Sequence, residues 1–179
     1  LDLYDHFLSV KGDPKIKAIV RDMARELGNG GGDPALLEKL AQYELALTSF
    51  AEKNLGAEEF GVFANKCWPS FEKFFGFVPC YVNSRLAGRG MPVACEVDIY
   101  GALSEYLAAC ATELPVTLLD INNSVPRDMA AAQKKKIGKY RPTDLFMGFH
   151  CGNTPSVCIV GGQLKHQLIM ARLMEPDQE

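Results

Sequence analysis

The sequence predicts an α/β fold, a largely parallel sheet flanked by helices, within a fragment of a larger multi-domain protein. Three observations carry that expectation. Helical apolar stripes alternate with short apolar runs bounded by turn residues, an order that implies parallel strands joined by right-handed crossovers. Four of the short runs each close on a polar residue that the strand does not need: Asn65, Glu96, Asp120 and His150. The chain also starts without a Met and ends on the charged, helix-stopping run Glu175-Pro-Asp-Gln-Glu179, so we expect a piece of a longer protein.

The elements follow in order. Leu1 to Val10 reads as a helix. Asp13-Pro14 and Asp33-Pro34 each place an N-cap before a proline at the first helical position. Behind the first, Ile16, Ile19, Val20, Met23 and Leu27 form a stripe that Gly28 ends. Asn29-Gly-Gly-Gly32 is a helix–helix turn, because no strand precedes it and no Gly-Lys-Ser/Thr follows. Behind the second cap, Leu36, Leu37, Leu40, Tyr43, Leu47 and Phe50 make one face of a long helix. Glu59 to Ala64 is the first strand, and Pro69 opens a short helix through Phe75.

Val82 to Ala87 reads as another short helix with Arg85 and Arg89 outward. Met91 to Cys95 is the second strand. Val97 to Ala111 is a helix with Ile99, Leu103, Tyr106, Leu107 and Cys110 inward. Pro115 to Leu119 is the third strand, ending in Asp120-Ile-Asn-Asn123. Arg127 to Arg141 is helical or loose, and its basic residues (Lys134, Lys135, Lys136, Lys139, Arg141) read as a solvated face, or as a contact for an anionic substrate group or a neighbouring subunit. Leu145 to Phe149 is the fourth strand, and Gln163 to Met174 has helical spacing. The α/β rhythm loosens after Thr112, where a domain boundary is expected.

Composition narrows the function. The 179 residues are 47% apolar and 23% charged, with net charge −3 and a pI near 5.7. Nothing in that balance asks for nucleic acid or an anionic membrane. No apolar run approaches the roughly 18 residues of a membrane-spanning helix, and the first residues lack the order of a signal peptide. None of the six cysteines forms a C-x-x-C pair. Cys95 and Cys110 read as small core residues, and the pattern fits a reducing cytoplasm.

In open α/β sheets ligands bind at the carboxyl ends of the strands. Glu96 closes the apolar run Pro92-Val-Ala-Cys95, where a charge is costly unless paired or bound. A Glu and an Asp offering oxygen, with an imidazole nearby, suit Mn²⁺ or Mg²⁺ better than zinc. Plainer readings stand beside these. Glu96 caps the next helix, although Asp98 is better placed to do so. Asp120 makes an Asx turn. His150 is a satisfied loop histidine, and Asn65 is a turn residue. His6 and His166 have no acidic cluster near them.

Asn65-Lys-Cys-Trp68, Cys95-Glu-Val-Asp98 and Leu119-Asp-Ile-Asn122 together resemble the L-fucose isomerase and L-arabinose isomerase group. His150-Cys-Gly-Asn153 is similar to a segment of its more distant fucose-isomerase-like members. The resemblance covers roughly residues 58 to 160 and implies a Rossmann-like domain and an Mn²⁺-dependent aldose–ketose isomerase acting through a cis-enediol. Glu96 and Asp120 match the two carboxylates that bind the metal and carry the proton. Asn65 falls where the group places a substrate-contacting amide, just ahead of Trp68, and His150 and Asn153 fall near the pocket rim.

The group's third metal ligand is a histidine beyond anything present here. The resemblance makes residues 1–112 the second α/β domain of such a chain and 113–179 the truncated start of the next. It also implies a small sugar substrate, a cytoplasmic trimer or hexamer when full length, and little activity for this piece alone. A non-catalytic sugar-binding or regulatory protein and a nucleotide-binding domain are the competing classes. The second lacks a convincing G-x-G-x-x-G ahead of a helix.

Overall fold

The computed structural model describes residues 2–58, 61–150 and 154–164. This part of the chain is mostly helical, with two small two-stranded sheets. Both Asp-Pro starts form as the sequence predicts. The Asp13 carboxylate accepts from the Lys15 main-chain N at 2.8 Å and opens α2 (Pro14–Leu27). The Asp33 carboxylate accepts from Ala35 N at 2.9 Å and opens α3 (Pro34–Asn54). Gly28 ends α2 at a φ of 52°, which a side chain would resist.

α3 is the spine of the molecule. It packs against α2 and against α1 (Asp2–Ser9), and the buried Gln42 Nε2 donates to the Phe7 carbonyl at 2.7 Å. Tyr43, Leu47, Met23, Ile16 and Leu40 lie in one core with Phe71, Phe77, Val82 and Leu86. Phe71 and Phe75 stack at 4.1 Å, and Tyr43 meets Phe71 edge-on at 4.9 Å. Such ring pairs add about 0.5–1.5 kcal/mol each beyond the area they bury.

β1 (Phe63–Ala64) and β2 (Val93–Ala94) pair in parallel. The crossover between them holds a π-helical turn (Cys67–Phe71), α4 (Glu72–Phe75) and α5 (Cys80–Ala87). α6 (Ile99–Thr112) follows β2 and packs on both strands. β3 (Asp120–Asn122), α7 (Arg127–Ala132), α8 (Lys134–Ile137) and β4 (Met147–Phe149) come next. Among the described residues no helix is long and apolar enough to cross a membrane.

The structure corrects several expectations. The four strands do not share one parallel sheet. β3 and β4 pair antiparallel with each other, apart from β1 and β2. Residues 115–119 form no strand; Leu118 packs on the first turn of α6 at Gly101, and Leu119 lies against Gly148 of β4. The stripe of α6 expected to face inward faces out. Gly101, Ala102 and Glu105 are buried instead, while Ile99, Leu103, Leu107 and Cys110 are exposed. The small side chains win because α6 lies close over the strands.

Arg85 is not outward either. It is 2% exposed, and its guanidinium meets three carboxylates. Nε donates to Glu44 at 2.7 Å, Nη2 donates to Asp22 at 2.9 Å, and Nη1 pairs with Glu26. Arg89 bonds Glu44 at 2.7 Å and Asp22 at 2.8 Å. Burial works against the Arg85 charge, but the bonds and charges of Glu44, Asp22 and Glu26 together outweigh it, and Arg85 holds its proton more firmly than a free arginine. This cluster joins α2, α3 and α5. The basic residues of the 134–141 run are exposed, and Arg141 pairs with Asp144 at 2.9 Å. The helix expected over 163–174 lies almost wholly outside the described residues, as do Cys151, Asn153 and His166.

Candidate functional site

The parallel pair sets the site's first edge. Ala64 lies opposite Ala94, and Asn65 N donates to the Ala94 carbonyl at 2.9 Å. Val97 N then donates to the Asn65 carbonyl at 3.0 Å. Asn65 and Glu96 therefore leave the sheet side by side at its carboxyl edge, as the sequence predicts.

The backbone there is unusual. Glu96 and Val97 both sit at a φ of 60°. The left-handed region is uncommon for any side chain and a marked outlier for a β-branched one. Each such residue costs on the order of 1–3 kcal/mol and persists only where the surroundings hold it. The hold here is visible: Val97 N is tied to Asn65, and Asp98 N donates to the Cys95 carbonyl at 3.0 Å. Asp98 takes the capping role, its carboxylate accepting from Gly101 N at 2.8 Å. Glu96 is left exposed with no cap to make.

A buried polar group supports this edge from below. Asn65 Nδ2 donates to Asn83 Oδ1 at 3.1 Å, and Asn83 Nδ2 points at Cys95 Sγ at 3.8 Å. Asn83 is fully buried. The Tyr43 phenol lies beside the Asn65 amide. Burial pushes its pKa well up, and the amide pulls it partly back. Neither the Tyr43 hydroxyl nor Asn65 Oδ1 makes a hydrogen bond of normal geometry. Both residues line a half-open cleft of about 290 Å³, walled by Tyr4, Phe63, Phe71 and Phe75. Trp68 falls in the π-helical turn just after Asn65.

The second pair of candidates sits in the other sheet. Asp120 opens β3 rather than closing a strand, and it pairs with Phe149. His150 follows Phe149, so Asp120 and His150 share one end of the ladder. That end leads back to the body of the molecule. Leu118 Cδ2 would be only 2.5 Å from a Cβ on Gly101, beside the Asp98 carboxylate. The hydroxyls of Thr117 and Thr154 meet at 3.3 Å, and Ser84 Oγ on α5 donates to the Thr154 carbonyl at 2.5 Å.

The chain thus brings Asn65 together with Glu96, and Asp120 together with His150, with Leu118 linking the second group to the first turn of α6. Asn153 lies outside the described residues. Among the described residues no three His, Cys, Asp or Glu side chains cluster so as to hold a metal ion. Glu96 and Asp120 offer carboxylate oxygens of the kind Mn²⁺ accepts, but they do not make a complete site by themselves.

Sequence reasoning missed Asn83, Tyr43 and the Arg85 cluster. A signal existed for the last. Asp22 and Glu26 stand four residues apart on one face of α2, and Glu44 interrupts an otherwise apolar run on α3.

No protein-family model matches this chain, and no solved structure does. Known proteins do. A stretch of 110 residues, 60% of the chain, is 34% identical to a sulfoquinovose isomerase of Alkalicoccus urumqiensis, of which it covers 24%. A sulfoquinovose isomerase of Priestia megaterium is 33% identical over 69 residues, 38% of this chain and 15% of the relative. One from a Clostridium species is 39% identical over 59 residues, 33% of this chain and 13% of the relative. The matched part spans about a quarter or less of the length of these curated relatives.

Proposed function

We propose that this chain is part of a sugar isomerase, with sulfoquinovose the first substrate to test, and that Glu96 and Asp120 are its proton-moving carboxylates. The relatives' shared name supports the class. The observation that carries the site is the strained Glu96-Val97 turn at the carboxyl edge of the parallel pair. Strain of this kind, held by neighbouring bonds, clusters at active sites, which supports a reactive role for the acid.

Interconversion of an aldose and a ketose moves one proton between adjacent carbons and shifts the carbonyl. A carboxylate takes the proton from the carbon beside the carbonyl as an acid protonates the carbonyl oxygen, giving an enediol; the first group then returns a proton to the former carbonyl carbon as the second accepts the proton of the neighbouring hydroxyl, which becomes the new carbonyl. Glu96 and Asp120 share these roles, while Asn65, Trp68, His150 and Asn153 contact the sugar. A divalent ion such as Mn²⁺ would polarise the sugar's oxygens when bound. It would take oxygen from Glu96 and Asp120, and its remaining donors would come from elsewhere in the protein.

The two-domain reading extends the same proposal. Residues 1–112 belong to a Rossmann-like α/β domain whose sheet continues beyond β1 and β2, and 113–179 begin another. The separate antiparallel pairing of β3 and β4 supports that division. The whole protein would act in the cytoplasm as a homo-oligomer, and the isolated chain would turn over little or no sugar.

The test uses the full-length protein with and without Mn²⁺ on sulfoquinovose, L-fucose and L-arabinose. Glu96→Gln and Asp120→Asn should each lower kcat at least about a hundredfold. If both variants keep full turnover, the carboxylate mechanism is wrong. Sugar binding without turnover in the unaltered protein would favour the non-catalytic reading.

A further inference from the structure

The basic run between β3 and β4 has no task in the chemistry of Glu96 and Asp120, and its charge departs from that of the rest of the chain. The connection over residues 123–146 holds six basic and two acidic side chains, a net +4 in a chain whose other residues sum to −7. Lys134, Lys135, Lys136 and Lys139 are all exposed. No other stretch sets three lysines side by side. Like charges so close on a helical turn destabilise one another.

The bonds that shape the connection do not use these lysines. At its start Asn122 Oδ1 accepts from Ser124 N at 3.0 Å and from Ser124 Oγ at 2.9 Å, which turns the chain out of β3. At its end Arg141 donates to Asp144 through Nε at 3.1 Å and Nη2 at 2.9 Å, so that guanidinium is occupied. Lys139 stands over the Tyr140 ring at 5.8 Å. Among the described residues no acid forms an ion pair with Lys134, Lys135 or Lys136. Position matters as much as charge. The connection leaves the ladder at Asn122 and returns at Met147, while Asp120 and His150 share the opposite end. A strand rises about 3.4 Å per residue, so Asn122 lies about 7 Å along β3 from Asp120. An aldose lying along the ladder with its reacting carbons at Asp120 directs its far end to the basic connection. Connections held by a scaffold in this way carry a disproportionate share of binding groups.

We infer that Lys134, Lys135 and Lys136 determine substrate choice by binding a tetrahedral anion on the last carbon of the sugar, namely the sulfonate of sulfoquinovose. The inference rests on the isomerase reading of Glu96 and Asp120, which hold the sugar's other end. The sulfonate is an anion at any working pH and offers three oxygens. A lysine ammonium is a point charge on a flexible stem and can meet such a group from several sides. A neutral hexose gains nothing from these charges, so the run separates sulfonated sugars from plain ones. Salt screens exposed charges, so the preference should fall as ionic strength rises.

The full-length protein tests this, with sulfoquinovose, glucose and glucose 6-phosphate as probes in calorimetric titrations at low and high salt and in turnover assays. Sulfoquinovose should bind at least about tenfold more tightly than glucose at low salt. Lys134→Gln, Lys135→Gln and Lys136→Gln together should remove most of that preference and its salt dependence. The same variant should raise KM for sulfoquinovose at least about tenfold, with kcat within about twofold and glucose binding unchanged. Arginine at the three positions should restore the preference. Glutamine at Lys15, Lys17 and Lys53, exposed on α2 and α3, should leave it as it was. A protein that binds sulfoquinovose no better than glucose, or a triple glutamine variant that keeps the preference, overturns the inference. Tighter binding of glucose 6-phosphate than of sulfoquinovose assigns the run to a phosphorylated sugar and overturns the sulfonate assignment. A triple variant that changes the oligomeric state in sedimentation velocity overturns it in favour of a subunit contact. Failure of the isomerase reading is a separate result: no sugar is turned over, while the lysine-dependent preference in binding remains measurable.

Discussion

Replacing Arg85 by Met tests the buried cluster most directly. Met keeps much of the side-chain volume and removes the charge. The Arg85 side chain is 1% exposed and that of Glu44 is 3%. Without Arg85, the partner left to Glu44 among the described residues is Arg89, which is half exposed. Stranding a buried carboxylate costs about 3–5 kcal/mol, and the surviving Arg89 bond places this case near 3. The Asp22 and Glu26 side chains are 45% and 32% exposed, so water replaces much of what they lose.

A loss of about 3 kcal/mol is a large part of the roughly 5–15 that hold a domain together. Urea unfolding followed by circular dichroism should show a midpoint lowered by about 1–3 M at an unchanged slope. Arg85→Met combined with Glu44→Leu should recover at least about half of that loss, because no buried charge remains. A single variant that loses less than about 1 kcal/mol, or a double variant no more stable than the single, would refute the reasoning.

Three further predictions concern the same framework. Asp22 has its pKa held down, chiefly by its hydrogen bond from Arg85. Its stabilising contribution is therefore present above the ordinary carboxylate pKa of about 4 and is lost as pH falls through the lower folded value; Arg85→Met should flatten that acid limb in unfolding curves taken below pH 4. Gly101→Ala should destabilise by about 1–3 kcal/mol despite the helix preference for Ala, because the new Cβ would collide with the Asp98 carboxylate and Leu118; a higher thermal midpoint would show that the first turn of α6 is looser than described. Val97→Gly should be neutral or stabilising by about 1 kcal/mol, since Gly accepts positive φ and the side chain is 46% exposed; a loss above about 1 kcal/mol in urea unfolding would contradict the strained turn.

Local signals in the sequence were the most legible. Asp13-Pro14 and Asp33-Pro34 started helices, Gly28 stopped one, and Asp98 capped α6 as its position implied. The parallel pairing of the runs around Ala64 and Ala94, and the meeting of Asn65 with Glu96, also followed from strand–helix alternation. What failed was the choice of partner. The stripe Ile99, Leu103, Leu107 exists, but periodicity finds a stripe without saying what covers it. Gly101 and Ala102 took the inner face because closeness, not apolarity, was needed there. Pro115 to Leu119 forms no strand because its leucines pack on other elements, Leu118 on the first turn of α6 and Leu119 on β4. Arg85 defeated the polarity rule because three acids from two other helices converge on it, a long-range fact that no local pattern records. His150 follows the end of β4 as expected, but Asp120 opens β3 rather than closing a strand, and the antiparallel ladder they share was hidden by the long connection through α7 and α8.

The shortness of β1 and β2 has a consequence for Glu96. Among the described residues, Phe63↔Val93 and Ala64↔Ala94 are the paired positions of the two strands. A slip of one residue would displace the acid by about 3.3 Å and turn its neighbours to opposite faces. Two pairs of small contacts are a weak guard against that error. The Asn65–Asn83–Cys95 chain of side chains supplies a second one, since Asn83 touches both strand ends from a different helix. Asn83 thus acts as an index pin: it lies away from the carboxylate, yet its two contacts favour the observed alignment of the strands that carry it.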